Sequence, residues 1–136
     1  MIVKKVLLRS SAEDEVLGFL KEHPKTQLIR AEFIHGQKHA IHCVQQLLKA
    51  FAQKRNISSK EEIELILIAL AERQIKKAIE KNSLEGEVVF ISWADEAESF
   101  YEEFRNRFVA RELKLEEEDS ETLQAIEKSA TFWIHS

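Results

Sequence analysis

The chain has 136 residues, of which 44% are hydrophobic and 32% are charged, with three glycines and one proline. These values suit one folded domain over residues 1–136 with short loops, and they exclude a disordered or fibrous chain. The sequence has no apolar run near 18 residues and no signal peptide, so we expect a location in the cytoplasm or nucleus. The single cysteine excludes an internal disulfide.

Charge is unevenly distributed along the chain, whose formal net charge is −4. Residues 21–81 hold 12 Lys and Arg against 7 Asp and Glu, whereas residues 82–136 hold 5 against 14. A basic surface can therefore attract phosphate although the whole chain is acidic.

The first third of the chain predicts two strands with a helix between them. Residues 2–8 are apolar and β-branched, as in a strand, and residues 27–34 alternate imperfectly as a second strand. The intervening helix is expected to end before Pro24. Its predicted buried residues are Val16, Leu17 and Leu20, with Phe19 beside them.

Two consecutive long helices are predicted after Gly36. The first has an amphipathic face, formed by Ala40, Val44, Leu47, Leu48 and Phe51. The second begins near Ser58 and Ser59, each followed three residues later by Glu in a capping-box pattern. Residues 63–71 are apolar nearly all round, so we expect this helix to be buried on most sides. It is predicted to continue without a break past Glu72, with Ile75, Ala78 and Ile79 as an inner stripe.

The remaining elements complete an α+β domain. The apolar run at residues 88–91 predicts a central strand, and residues 111–116 predict a half-exposed strand nearer an edge. Between them lies a helix capped by Asp95, and a final helix begins at Asp119 or Ser120. The order β-α-β-α-α-β-α-β-α predicts a small sheet of about four strands covered by helices.

Sequence motifs give little support to an enzyme. The chain lacks the glycine-rich phosphate loops and the nucleophile elbow. Cys43 lies in the middle of an amphipathic helix, where a small buried hydrophobe is the simpler interpretation. His35, His39, His42 and Cys43 could place metal ligands on one helical face, and surface or hydrogen-bonded histidines are the alternative.

Basic residues cluster on the two central helices. Lys38, Lys49, Lys54 and Arg55 belong to the first, and Arg73, Lys76, Lys77 and Lys81 belong to the end of the second. The latter four are predicted to line one side of a helix for about two turns, which could meet a phosphate backbone. Without further information, a solvated charged face is the favoured interpretation of these residues.

Several of these segments together resemble a known family. Residues 31–34 read Ala-Glu-Phe-Ile and lead into Gly36-x-x-His39 and an amphipathic helix; residues 73–75 read Arg-Gln-Ile, with Ala78 following. Near the C-terminus stands Glu127-Lys128-x-Ala130. The pattern is similar to the smallest core subunit of the archaeal and eukaryotic KEOPS complex, the PRPK-binding protein (TPRKB-like) family. The match is specific over residues 28–91. The family often has Ser-Gly where this chain has Leu70-Ala71, and here Leu70-Ala71-Glu72 are expected to continue the helix.

The resemblance implies a non-catalytic role without a cofactor or metal. KEOPS installs threonylcarbamoyl on the adenosine beside the anticodon of tRNAs that read codons starting with A, and another subunit performs the transfer. Family members of the archaeal type dock on a kinase-like ATPase subunit and help to bind tRNA through its 3′ CCA end in the cytoplasm. Carried over by position, the tRNA contacts would be Lys38, His39, Arg73, Gln74 and Lys77.

The face that would dock on the kinase-like ATPase is expected in the last predicted helix. Phe132, Trp133 and Ile134 suit the centre of an interface, and packing in the core is the commoner fate of such residues. Two other functions remain open: a homo-oligomeric scaffold built through this helix, or a small enzyme that uses His39 with a nearby carboxylate.

Overall fold

A computed structural model describes residues 1–10 and 13–117. The strands and helices follow the predicted order as far as the fourth strand, and the predicted final helix lies outside the described residues. The strands are β1 (Ile2–Leu8), β2 (Thr26–Arg30), β3 (Glu87–Ser92) and β4 (Val109–Leu113). The helices are α1 (Glu13–Glu22), α2 (Gln37–Ala52), α3 (Glu61–Leu70), α4 (Ile75–Lys81) and α5 (Ala97–Phe108), with a short 3-10 turn at Ala31–Phe33.

The four strands form one antiparallel sheet in the order β2-β3-β1-β4. This arrangement confirms the predicted α+β fold, with the strand at residues 88–91 inside the sheet and the last strand at an edge. The central strand is apolar without interruption because both of its faces are covered. Val88 and Phe90 pack with α1 and α5, whereas Val89 and Ile91 pack with α2 and α3.

The helices bury most of the predicted apolar faces, with a few differences. Val16 and Phe19 of α1 are buried, whereas Leu17 is 43% exposed. On α2, Leu48 is 44% exposed because the buried face is shifted toward His39 and Cys43. The burial of Cys43 agrees with its interpretation as a small hydrophobe.

The predicted second central helix is divided into α3 and α4, which corrects the expectation of one continuous helix. Helix α3 ends at Leu70, and Ala71 takes the left-handed conformation with φ 50°. The inner stripe predicted for the far half is also wrong, because only Ala78 is buried there while Ile75 and Ile79 are 39% and 47% exposed. Arg73 therefore lies in a linker rather than on a helical face.

The outer edge of β2 is closed by side chains instead of another strand. Asn82 donates its Nδ2 to the carbonyl of Leu28 at 2.8 Å and accepts the N–H of Arg30 at Oδ1, also at 2.8 Å. Gln27 accepts the Leu28 N–H at Oε1 and donates Nε2 to the Glu62 carbonyl. These bonds satisfy backbone groups that would otherwise invite pairing with another chain.

A buried carboxylate fixes the connection between α2 and α3. Glu64 is fully buried, and its Oε1 accepts the backbone N–H groups of Ser58 at 2.7 Å and Ile57 at 3.1 Å. Burial raises the pKa of this carboxyl, and the two N–H donors oppose that effect. The native state therefore holds the proton more tightly than the unfolded chain does.

We expect Glu64→Ala to lower the free energy of unfolding by about 3 kcal/mol, because two N–H groups lose their acceptor. Glu64→Gln keeps an acceptor oxygen and should lose less. Because the native pKa of Glu64 is raised, its contribution to the free energy of unfolding of the wild type is largest below about pH 4.5. This contribution falls as the pH rises through the native pKa. The deficit of Glu64→Gln should therefore shrink with increasing pH. Urea denaturation across this range measures both effects, and equal losses for the two variants would contradict the assigned role.

Candidate nucleic-acid interface

The first turn of α2 and the end of α3 lie at the same end of the domain. Helix α3 begins beside the start of β2, where Glu62 accepts the Lys25 N–H at 2.9 Å and binds Gln27. It packs along β2, and the end of β2 leads directly through the 3-10 turn into α2. Residues distant in sequence are thereby brought together at one edge of the helical layer.

We call this region the basic end and define it by Lys38, Arg73, Gln74, Lys76 and Lys77. All five are exposed. Lys38 stands in the first turn of α2, Arg73 and Gln74 lie in the linker before α4, and both remaining lysines lie on α4. Four of the five predicted tRNA contacts are therefore accessible on one end of the domain.

The linker between α3 and α4 is shaped by Glu72. Its Oε1 accepts the Gln74 N–H and its Oε2 accepts Nζ of Lys81, both at 3.1 Å. The bond from Gln74, followed by that from Lys81, lowers the pKa of the Glu72 carboxyl, so it is ionised at neutral pH. Its charge, which the sequence places beside Arg73, is thus directed at the start of α4 and at Lys81. We leave Lys81 out of the basic end because its ammonium group is paired with Glu72.

His39, the fifth predicted contact, is only 1% exposed. Its Nδ1 accepts the backbone N–H of His35 at 3.1 Å, so the ring proton is placed on Nε2. Burial, reinforced by His35 and His42, lowers the pKa of His39 to about 4. At neutral pH the ring is therefore uncharged, and it supports the turn at residues 35–36. Its neighbour in the sequence, Lys38, is exposed.

A carboxylate from the far end of the described chain reaches the same turn. Glu117 accepts the Lys38 N–H at Oε1, at 3.1 Å, where the N-terminus of α2 favours negative charge. Gly36 has φ 130°, and a Cβ built on it would lie 2.5 Å from Glu117 Oε2. The Glu117 carboxylate ends a flexible side chain and could move away from a Cβ, so the glycine is explained by the positive φ, in which other residues are strained. Lys38 then has its side chain, rather than its N–H, available for an anion.

The histidine cluster does not assemble as a metal site in the described part of the chain. Among residues 1–10 and 13–117 no group of three or more His, Cys, Asp or Glu side chains is arranged to hold a metal ion. His42 Nε2 is buried and has no hydrogen-bond partner there. Burial also lowers the pKa of His42, as it does for His39.

The predicted partner-binding residues Phe132, Trp133 and Ile134 lie outside the described residues. Within the described residues, no helix has the length and apolar character needed to cross a membrane. The chain matched no known protein-family model, and a comparison with curated proteins found no relative.

Sequence reasoning missed the break in the second central helix and the roles of Glu117 and Asn82. The break had a weak signal, since the family that the sequence resembles often has glycine at the position of Ala71. No local pattern marks Glu117 or Asn82, because each acts on a backbone segment far away in the sequence.

Ala71→Gly should raise the free energy of unfolding by about 1 kcal/mol, because a Cβ is disfavoured in the left-handed conformation. The matched control is Ala69→Gly, which lies within α3 and should lower it by about 1 kcal/mol. Urea denaturation of both variants tests whether the free energy of unfolding changes in opposite directions at these two positions. Destabilisation by both substitutions would show that α3 continues through position 71.

Acidification should destabilise the protein through His39. Its native pKa of about 4 lies below the ordinary 6.5, so its contribution is complete above pH 6.5 and is lost as the pH falls toward 4. NMR titration of the ring should place its pKa near 4. His39→Asn keeps an acceptor for the His35 N–H but cannot take up a proton, so its unfolding free energy should depend less on pH in this range. A measured pKa at 6.5 or above would contradict the buried, neutral ring.

Proposed function

We propose that this chain is a non-catalytic subunit of a KEOPS-type complex that modifies tRNA with threonylcarbamoyladenosine in the cytoplasm. In this proposal it docks on the kinase-like ATPase subunit and helps to bind tRNA through its 3′ CCA end. The observation that carries the proposal is the basic end, where Lys38 and the Arg73-Gln74 linker are exposed at the same end of the domain.

The structure supports the family resemblance at one position where the sequences differ. Family members often have glycine at the place of Ala71, and that residue has a left-handed backbone here. Glycine adopts this conformation without strain, so the same turn suits both sequences. The alanine is expected to lower stability while leaving the path of the linker unchanged.

The chemistry of the basic end suits an unpaired RNA tail. Lys38, Arg73 and Lys77 offer charged donors to phosphates, and the Gln74 amide can pair with a base edge. Glu72 is turned toward Lys81 and the α4 backbone, which reduces its repulsion of an approaching phosphate. His39 supports this surface from below through the His35 turn instead of contacting the RNA.

The alternatives gain less from the geometry. An enzyme that used His39 as its base would need the ring to reach a substrate, and the ring is buried with Nδ1 already bonded. The scaffold alternative depends on the last predicted helix, which lies outside the described residues. Light scattering at high protein concentration separates a monomer from that assembly.

A gel-shift series tests the tRNA role. Full-length tRNA should bind more tightly than the same tRNA without its CCA tail, and binding should weaken with salt. Arg73→Ala and Lys77→Ala should each weaken binding and reduce the salt slope by about one. The control is Lys49→Ala, which changes an exposed lysine in the last turn of α2, far from Lys38 in the first turn, and should have little effect. Equal binding of trimmed and intact tRNA would refute the CCA role and leave docking to be tested separately.

A further inference from the structure

A histidine joins the end of α1 to α5 through both of its ring nitrogens. His23 immediately follows the last residue of α1 and is buried, with 7% exposure. Its Nδ1 lies 2.6 Å from the carbonyl oxygen of Phe19, and its Nε2 lies 2.9 Å from Oε2 of Glu103 on α5. The imidazole ring therefore bridges two helices whose bonded residues are 80 positions apart in the sequence.

The two groups that face the ring nitrogens are both hydrogen-bond acceptors. A carbonyl oxygen cannot donate, so Nδ1 must carry a hydrogen to bond with Phe19. An ionised carboxylate also only accepts, so Nε2 must carry a hydrogen to bond with Glu103. A neutral imidazole has one N–H group, whereas an imidazolium ion has two. Both bonds can therefore be made together when the ring is protonated.

The surroundings of the ring suit a positive charge. The Phe19 carbonyl belongs to the last turn of α1, where carbonyls lack helical N–H partners and the helix dipole favours a cation. The ring of His23 stacks on that of Phe19, with centroids 3.7 Å apart and planes inclined by 12°, and the face of an aromatic ring attracts a cation. Phe100 of α5 packs against the histidine from another direction, with centroids 4.7 Å apart.

One cation on α5 competes with the histidine for the same carboxylate. Nη1 of Arg107 lies 3.6 Å from Oε1 of Glu103, whereas the histidine bonds to Oε2. The Arg107 guanidinium also lies over the Phe19 ring, 5.7 Å from its centroid. In the described part of the chain, no charged side chain other than Glu103 forms a hydrogen bond or ion pair with the ring. Glu103 thus has a second partner that can hold it when the histidine is neutral.

We propose that His23 is a proton-dependent clamp that fastens the C-terminal end of α1 to α5. With two N–H groups the ring makes both bonds. After it releases one proton, one ring nitrogen presents a lone pair to an acceptor, and that bond is lost. The carboxylate of Glu103 then stays with Arg107, and the last turn of α1 is held mainly by the packing of Phe19. This proposal does not depend on the function proposed above.

The clamp should stabilise the protein more at acidic pH than at alkaline pH. An ordinary histidine in an unfolded chain is half protonated at about pH 6.5. Below this value the unfolded chain also holds the proton, so the contribution of the clamp to the free energy of unfolding is complete. Above it the clamp needs a proton that the unfolded chain has released, and the contribution falls as the pH rises. The direction is opposite to that for His39, whose contribution is lost on acidification.

The test is a double-mutant cycle of His23→Phe and Glu103→Gln, measured by urea denaturation at about one pH unit below and about two above the ordinary histidine value. Phenylalanine keeps an aromatic ring beside Phe19 and has no nitrogen. Coupling between the two positions should change the unfolding equilibrium constant by at least about fivefold at the lower pH and by less than about twofold at the higher pH. Equal coupling at both pH values would overturn the proposal.

Nuclear magnetic resonance of isotope-labelled histidine reads the ring without any change at position 23. The His23 ring should keep its second proton to a higher pH in the wild type than in Glu103→Gln, because an amide can also donate to a neutral ring. The control is Glu102→Gln, which removes the same charge from the neighbouring exposed residue of α5 and should titrate like the wild type. A ring with a single proton at the lower pH would show that Glu103 supplies the hydrogen, and it would overturn the proposal. An equal change in Glu102→Gln would overturn it as well.

Discussion

The side-chain amide of Asn82 holds together the parts of this domain on which the candidate interface depends. It bonds both to the Leu28 carbonyl and to the Arg30 N–H, and so acts as a surrogate neighbour for β2. Because Asn82 directly follows α4, the same amide fastens the end of that helix to the sheet. Removing it would leave buried backbone groups without partners, and each such group would lower the free energy of unfolding by about 1–3 kcal/mol.

Helix α4 needs such support because it is only seven residues long. A helix of this length is unstable in isolation, since nucleation fixes several residues for very few hydrogen bonds. Three contacts compensate: Ala78 is buried in the core, Glu72 accepts the Gln74 N–H at the start of the helix, and Asn82 ties down its end. The exposed Lys76 and Lys77 are therefore presented from a fixed backbone.

Much of the fold could be predicted because strong local patterns agree with tertiary packing. The run at residues 88–91 is apolar on both faces and proves to be the strand with helices on each side. The length of the second central helix could not be predicted in this way. Ala71 and Glu72 are good helix formers, and nothing local opposes continuation. The break is stabilised by the bonds of Glu72 to Gln74 and Lys81, which form only after the chain has turned.

The same distinction applies to the site. Exposure of Lys38, Arg73, Gln74 and Lys77 follows from their polarity, whereas the burial of His39 does not, because histidine is found both inside and outside proteins. A neutral ring can be buried where its acceptor nitrogen is paired, and the His35 N–H supplies that pair. The motif that attracts attention in the sequence thus combines two kinds of residue. Some contact solvent and can meet a ligand, and one acts through the backbone that positions them.

Helix α4 finally connects the basic end with an apolar groove that runs along β2 and is lined by Leu17 of α1 and Ile63 of α3. Lys76 and Lys77 lie on its exposed surface, Ile79 forms part of the groove wall, and Ala78 anchors it between them. A substitution that loosened the helix would therefore disturb both surfaces at once, whatever each one binds. When a variant loses binding, the cause can be a lost contact or a displaced helix. Only changes at exposed side chains, which leave Ala78, Glu72 and Asn82 in place, can distinguish the two. The fixed position of α4 is thus the physical condition for both surfaces.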